Sequence, residues 1–257
     1  PGLVSATYSP LVDIQRSVFG SLEFDFTDRL TGTFELRHTK ESQQLDNVKD
    51  IYFGSSGSFG ADSSFSDPRV TLRFKQSDDL MLYASAARGT RSGGINAAIT
   101  DPAYVTFDPE TNNTYEIGVK STLAEGRVRL NASIFQIDWT DAQFRQAAPG
   151  STGTGTLVNA TLNVGSITSK GLELSLAARV TDNWSVDAGI GYADPKFDDE
   201  TYAVSLERLC ATTTANPVNV SCARRDIDGN GTIDRIQPDI SGKQLPRTSK
   251  VTASLGV

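Results

Sequence analysis

The sequence predicts an all-β chain: an antiparallel transmembrane β-barrel segment of about nine up-and-down strands, with short turns alternating with long loops. Three observations predict it. Apolar and polar residues alternate with period two through run after run, the pattern of strands with one apolar and one polar face. Turns of about three residues alternate with loops of roughly two dozen or more, four times in succession. No run approaches the ~18 apolar residues of a spanning helix, and no amphipathic helix of convincing length is present.

The clearest element is the hairpin within Phe107–Trp139. Tyr115, Ile117 and Val119 share one face against Glu116, Gly118 and Lys120; after the turn Ala124-Glu125-Gly126, Val128, Leu130, Ala132 and Ile134 oppose Arg129, Asn131 and Ser133. Gly126 supplies a positive φ without steric cost, and Asp108-Pro109-Glu110 marks a loop end, because proline cannot donate to a ladder. The remaining strands follow the same logic. Ser17–Phe26 sets Val18, Leu22, Phe24 and Phe26 on one side and turns at Thr27-Asp28-Arg29 into Leu30–Lys40. A Ser-, Gly- and Asp-rich loop runs to about Ser66. Arg69–Gln76 places Val70, Leu72 and Phe74 together, and Ser77-Asp78-Asp79 leads into Leu80–Arg88. Gly89–Asn112 and Thr140–Ser169 read as loops. Gly171–Val180 aligns Leu172, Leu174 and Leu176, and Thr181-Asp182-Asn183 turns it into Trp184–Tyr192, with Val186, Ala188 and Ile190 on one face. A very long loop, 193–247, precedes Ser249–Val257. The expectation is one sheet of sequential neighbours, with no tenth strand.

Alternation is blind to which face is the core, so a soluble antiparallel fold with its apolar face inward has the same pattern. The loop rhythm decides for the membrane: outer-membrane barrels carry short turns on one rim and long loops on the other. Leu130, Leu172, Leu174 and Val186 are then expected to face lipid, and Phe26, Trp139, Trp184 and Tyr192 near strand ends suit interfacial aromatic girdles, though core anchoring explains them too. With 21% charged and 8% aromatic residues the composition excludes a disordered chain. The net charge of −7, with no offsetting basic stripe, excludes a nucleic-acid partner. The opening PGLVSATYSP carries no initiator Met, basic region or apolar region, which fits a fragment or mature piece as well as a cytosolic protein.

Several segments resemble one family. LMLYASAARGTRSGGIN (80–96) resembles a strand and loop ending in Ser-Gly-Gly-aromatic-Asn, with Ile95 in place of the aromatic. FDPETNNTYEIGVKSTL (107–123) resembles a Pro-Glu segment followed by Tyr-Glu-aliphatic-Gly-aliphatic-Lys. SDPRVTLRFK (66–75) fits as the preceding strand, and LNASIFQIDWTDAQ, GLELSLAARVTDNWSVDAGIGYAD and LPRTSKV also follow family patterns, in family order. By these residues the chain resembles the TonB-dependent outer-membrane receptors over nearly its whole length. The resemblance implies one partial barrel domain over residues 1–257, an internal slice of a barrel that is typically 22-stranded. On this resemblance the slice is expected to lie between the family's plug domain, missing before Pro1, and its terminal strand ending in an aromatic, missing after Val257. Its implied partners are outer-membrane lipid, a plug domain, an inner-membrane energy-coupling protein and a small ligand such as a ferric siderophore. The implied localisation is the bacterial outer membrane.

No catalytic constellation is present, so the chain is not expected to be an enzyme. The single histidine, His38, lies at a strand end with no nucleophile pattern. GSTGTGT (150–156) lacks the Lys-Ser/Thr and strand-to-helix context of a phosphate loop. Cys210 and Cys222 share the loop 193–247; their spacing is not that of a zinc pair, and passage through an oxidising periplasm favours a local disulfide, worth ~3 kcal/mol less any strain. In the same loop DIDGNGTID places Asp226, Asp228, Asn230, Thr232 and Asp234 at ligand positions of an EF-hand-like calcium loop, with Gly231 at the sharp turn. Gln237 stands where a bidentate Glu is expected, and the alternative is an acidic turn with no ion. Apart from this possible calcium no cofactor is expected. Arg88 and Arg91, where strand meets loop, are candidate grips for an anionic iron chelate, since guanidinium pairs bidentately with carboxylate.

The sequence therefore reads as the wall of an active-uptake receptor for a scarce ligand. The alternatives are a passive porin or surface-binding barrel and, more weakly, a soluble carbohydrate-binding or hydrolytic β-protein.

Overall fold

The computed structural model describes residues 11–49, 56–97, 99, 104–149, 157–202, 222–225 and 235–257. The strands in chain order are β1 (Leu11–Thr27), β2 (Leu30–Lys49), β3 (Ser56–Ser77), β4 (Leu80–Arg91), β5 (Gly94–Ile95), β6 (Thr106–Phe107), β7 (Glu110–Leu123), β8 (Val128–Thr140), β9 (Gln143–Pro149), β10 (Leu157–Asn163), β11 (Ile167–Arg179), β12 (Ser185–Phe197), β13 (Cys222–Arg225), β14 (Arg235–Pro238) and β15 (Val251–Gly256). Nine of them form one antiparallel sheet in the order β1-β2-β3-β4-β7-β8-β11-β12-β15. Every pair in it is a sequential neighbour once the loop strands are set aside, as the alternation of turns and loops predicts.

The register carries the alternation across the whole sheet. One row of opposed residues runs Phe24, Gly32, Leu72, Ala84, Ile117, Ile134, Leu172, Tyr192 and Val251, one from each strand. The next row, on the opposite face, runs Asp25, Thr31, Arg73, Tyr83, Gly118, Ser133, Glu173, Gly191 and Thr252. Leu130, Leu172, Leu174 and Val186 all fall on the apolar face. That face is exposed: Leu22 is 74% accessible and Ile117 61%. Every buried apolar residue among those described lies at the long-loop end, in or beside the loops, as with Leu45, Ile99, Ala148, Leu162 and Phe197. A soluble sandwich buries its apolar face between sheets. Here that face belongs to lipid, and the polar face lines the lumen.

The short-turn rim is built as its residues require. Thr27 Oγ1 accepts hydrogen bonds from the amides of Arg29 (3.2 Å) and Leu30 (3.0 Å). Ala124, Glu125 and Gly126 all have positive φ, at 52°, 57° and 86°. On the lumen face Tyr83 lies across Gly118, where an added Cβ would sit 2.5 Å from the ring. Phe135 covers Gly171 in the same way, at 2.4 Å.

The structure corrects three expectations. First, the loops contain strands: β5 pairs β6, β9 pairs β10 and β13 pairs β14. These ribbons are two to seven residues long, and in the β9–β10 ribbon Ala148, Ala160 and Leu162 pack with Ile99 and Tyr104. Second, β2 and β3 continue to Lys49 and Ser56, so most of the supposed Ser-rich loop is strand. Its polar composition hides the alternation of Phe59, Ala61 and Phe65, because above the membrane both faces meet water. Third, Trp139 takes no part in a girdle. It lies on the lumen side of β8 and packs on Phe144, ring centroids 5.9 Å apart, in the cluster of Ala142, Ile167 and Phe197. Phe26, Trp184 and Tyr192 remain exposed at 56%, 62% and 40%.

Candidate functional site

The lumen face and the outer rim hold the polar chemistry of the described residues. Near the inner end Arg73 reaches across β2 to Glu23 (2.5 Å), and Thr31 donates to Asp25 (2.6 Å). Arg69 approaches Glu35 at 3.8 Å. Tyr83 donates its hydroxyl to Glu116, and Lys120 Nζ lies 5.4 Å from the Tyr83 ring centroid. These are the cross-strand pairs that mixed charge on adjacent strands predicts.

At the outer rim the two motif segments meet. Arg91 stands opposite Glu110 in the β4–β7 register, and its Nε lies 2.9 Å from Glu110 Oε1 and 2.9 Å from Gln143 Oε1. The Glu110 side chain is only 9% exposed, and its other oxygen accepts the Gln143 amide at 2.6 Å. Gln143 Nε2 donates to the carbonyls of Ser92 and Asp108, both at 2.9 Å. Ser92 donates to Glu41 on β2. Glycine is required beside this node: a Cβ on Gly93 would sit 2.3 Å from the Phe107 carbonyl oxygen. A second clasp lies above it. The Asn96 side chain donates to the carbonyls of Tyr104 and Thr161 and accepts the Thr161 amide, each at 2.8 Å. Asn163 ties Asp108 to Asp141. Ile99, Tyr104, Ala148, Ala160 and Leu162 pack between these clasps. The described residues of the strap between β4 and β7 are thus bonded to β9 and β10 at the rim.

The two candidate arginines part company here. Three residues apart, they point to opposite faces. Arg88 lies opposite Asn113 in the apolar-side rows and donates to Thr111 Oγ1 (3.4 Å), facing away from the lumen. Arg91 faces inward and spends much of its guanidinium on Glu110 and Gln143, while 59% exposure leaves its outer edge open to the lumen. His38 bonds Ser66 Oγ at 2.9 Å on the apolar side. Glu110, Gln143, Asn96 and Asn163 were not legible as site residues, although Asn96 and Glu110 close the two motifs already noted.

In the last loop Cys222 opens β13, and its predicted partner Cys210 lies outside the described residues. So do Asp226, Asp228, Asn230, Thr232 and Asp234 of the calcium motif. Ser241 donates its amide to Asp239 at 2.9 Å; its hydroxyl and amide together hold the Asp239 carboxyl below its ordinary value. Lys250 contacts Asp194 at 2.6 Å, which raises the Lys250 ammonium above its ordinary value.

The family model for TonB-dependent receptor-like β-barrels matches residues 2–257. The chain belongs to the TonB-dependent receptor β-barrel family. It is therefore an outer-membrane barrel chain of a receptor family, not of an enzyme family. Among curated proteins it is 28% identical over 141 residues to the probable TonB-dependent siderophore receptor PiuA of Acinetobacter baumannii, covering 52% of this chain and 18% of that protein. It is 23% identical over 193 residues to the metal-pseudopaline receptor CntO of Pseudomonas aeruginosa, covering 73% and 25%. The chain thus spans about a quarter or less of these relatives' lengths. Among solved structures, the siderophore receptor PiuA of Acinetobacter baumannii shares the fold with a TM-score of 0.66 at 20% identity, over 96% of this chain and 31% of that one. The ferric yersiniabactin uptake receptor FyuA of Yersinia pestis gives 0.59 at 21%, over 75% and 28%.

Proposed function

We propose that this chain is wall and outer-rim structure of an active-uptake receptor whose ligand is an anionic metal chelate of the siderophore class. The observation that carries the reading is the pairing of a lipid-facing sheet with a bonded cap on its lumen rim. A passive pore needs only a wall; a cap ordered by buried side chains suits capture of a ligand before transport, because ordering paid for during folding is not paid again on binding. The relatives named as siderophore and pseudopaline receptors support the ligand class. A plug domain, an inner-membrane energy-coupling protein and outer-membrane lipid are the partners that go with this reading. Arg91 is the arginine placed to meet an anionic ligand, through the open edge of its guanidinium.

The test is growth of an iron-starved strain that has the full-length receptor as its sole candidate route. It is fed a panel of ferric hydroxamate, catecholate and carboxylate chelates. Receptor-dependent growth on at least one chelate is expected. Growth on none of them, with small hydrophilic solutes entering freely, favours the passive barrel.

The loop after β12 is proposed to hold calcium, with Cys210 and Cys222 as its disulfide. Supporting this, the β13–β14 pairing sets Arg225 opposite Arg235, the two residues that flank the motif. Asp226, Asp228 and Asp234 would repel in so short a segment without a cation.

A further inference from the structure

We propose that the open edge of β3 above the membrane, Gly60 to Ser66, is a docking site for an extended segment of a protein partner, which adds to the sheet as one more strand. The sheet is split there. β3 pairs β2 without interruption from Phe74 to Phe59, but its pairing with β4 stops at Arg69, opposite Ala87. Beyond that point β4 pairs only β7, as far as Arg91 and Glu110. Pro68 stands at the parting. The Lys75 amide donates to the Arg29 carbonyl on the β2 side. In an unbroken ladder the odd-numbered residues of β3 therefore turn their backbone groups to β2, and the even-numbered ones to the β4 side. The N–H that Pro68 lacks is thus a bond lost to β4 and not to β2. At the foot of the split Thr90 donates to Asp67 at 2.7 Å. Above it, among the described residues, no backbone hydrogen bond reaches the free side of β3.

What the edge offers identifies what it takes. Gly60, Asp62, Ser64 and Ser66 are exposed. Each turns an N–H and a C=O to the open side, repeating at about 7 Å, and an extended polypeptide backbone is the group that satisfies this pattern. From Ser77 at the short turn to Ser66 is eleven residues, about 37 Å of strand. At the usual barrel tilt this is a rise of about 28 Å, past the ~25 Å apolar band. The edge therefore stands in water, where its unpaired groups are tolerated as they are not in lipid. From Gly60 to Ser66 it carries no Lys, no Pro and no bulge, the devices that keep other chains off an edge. A second copy in the same membrane does not match it. That copy's β3 crosses the bilayer in the same direction, so it cannot pair antiparallel with this edge as β2 does. Asp62 is the charged side chain beside the open side, and no ion pair among the described residues includes it. Lys40, opposite Ser64, lies one strand further away. The docked strand therefore carries Lys or Arg opposite Asp62. The edge lies outside the lumen, so the inference does not rest on the ligand class proposed above.

The test uses the full-length receptor, one copy per lipid nanodisc. The probe is a capped heptapeptide of alternating threonine and valine, good strand formers, with a central lysine. In the free receptor hydrogen exchange should be fast at the Asp62, Ser64 and Ser66 amides and slow at those of Ala61, Ser63 and Phe65. The probe should slow the first set. Slow exchange of both sets without probe would show another part of the receptor already on the edge and overturn the proposal. Ser64→Pro removes one open N–H and leaves the β2 ladder intact, so it should weaken probe binding about tenfold. Ser66→Pro is the second blocking variant, and heat-resistant electrophoretic migration reports which barrels fold. Probe binding to either folded proline variant as tight as to wild type overturns the proposal. Asp62→Lys should transfer the preference to a glutamate-centred peptide, and an unchanged preference for lysine overturns the stated chemistry of the partner. Ser64→Cys receptors in outer membranes should stay monomeric on oxidation; a receptor–receptor disulfide there would make a second copy the occupant and overturn the assignment.

Discussion

Leu174→Arg tests which face meets lipid. Leu174 is opposed by Ala132 on β8 and Ile190 on β12, within the continuous apolar rows. It lies five residues from Arg179 at the short-turn rim, about 17 Å along the strand. With ordinary tilt that is a rise of about 13 Å, half of the ~25 Å apolar band. An arginine there is at the midplane, where the cost is about 2–4 kcal/mol. Glu173, its chain neighbour, lies between Ser133 and Gly191 on the lumen face, so Glu173→Gln should cost well under about 1 kcal/mol. The assay is reversible urea unfolding of the full-length barrel in lipid vesicles, followed by tryptophan fluorescence. Comparable losses at 173 and 174, or the larger loss at 173, would refute the facing.

Four further outcomes are expected. Glu110→Ala leaves the Gln143 amide and Arg91 without their acceptor and should lower the opening free energy of the strap and the β9–β10 hairpin by about 1–3 kcal/mol. Hydrogen exchange should show the two segments loosening together while 114–121 stays protected. Gly118→Val pushes a side chain into the Tyr83 ring and should lower barrel stability by about 1–3 kcal/mol; adding Tyr83→Ala should recover part of the loss in a double-mutant cycle. Calcium should bind the long loop with an affinity on the order of 10⁻⁴–10⁻³ M, since Gln237 supplies neither charge nor a bidentate carboxylate; calorimetry on the full-length receptor should lose that heat on Asp228→Ala. Asp239, held below its ordinary value, favours the folded loop stem above the usual carboxylate range and loses that contribution as pH falls through its lowered folded value. Exchange of the 239–243 amides should therefore rise on acidification below about pH 4, and Asp239→Asn should remove the change.

The membrane-spanning half was legible because lipid enforces strict alternation on every strand there. Tyr115 to Lys120 and Leu172 to Arg179 show their faces without any tertiary knowledge. Above the bilayer that constraint ends. Phe59, Ala61 and Phe65 still alternate, but among Ser, Gly and Asp they read as loop until the register with β2 is seen. The rim node was half visible. Ser92-Gly93-Gly94 and Asp108-Pro109-Glu110 were conspicuous as motifs, yet nothing local says that Glu110 receives the amide of Gln143, thirty-three residues on. Arg88 and Arg91 looked equivalent by position, and only the period-two rule applied across the bulge-free β4–β7 ladder separates the outward residue from the inward one. Trp139 misled for the opposite reason. A strand-end tryptophan suits a girdle equally well until its face is known, and its face is set by Ile134 and Gln136 pointing outward.

The central claim is that this wall belongs to an energised receptor. It is tested most directly by uptake of a radiolabelled ferric chelate into cells with the full-length receptor as the sole route, before and after an uncoupler collapses the proton-motive force. The account predicts saturable uptake that stops on uncoupling while binding to the cell surface persists. Uptake that continues unchanged without the proton-motive force, in proportion to the outside concentration, would contradict it and make the barrel a passive pore.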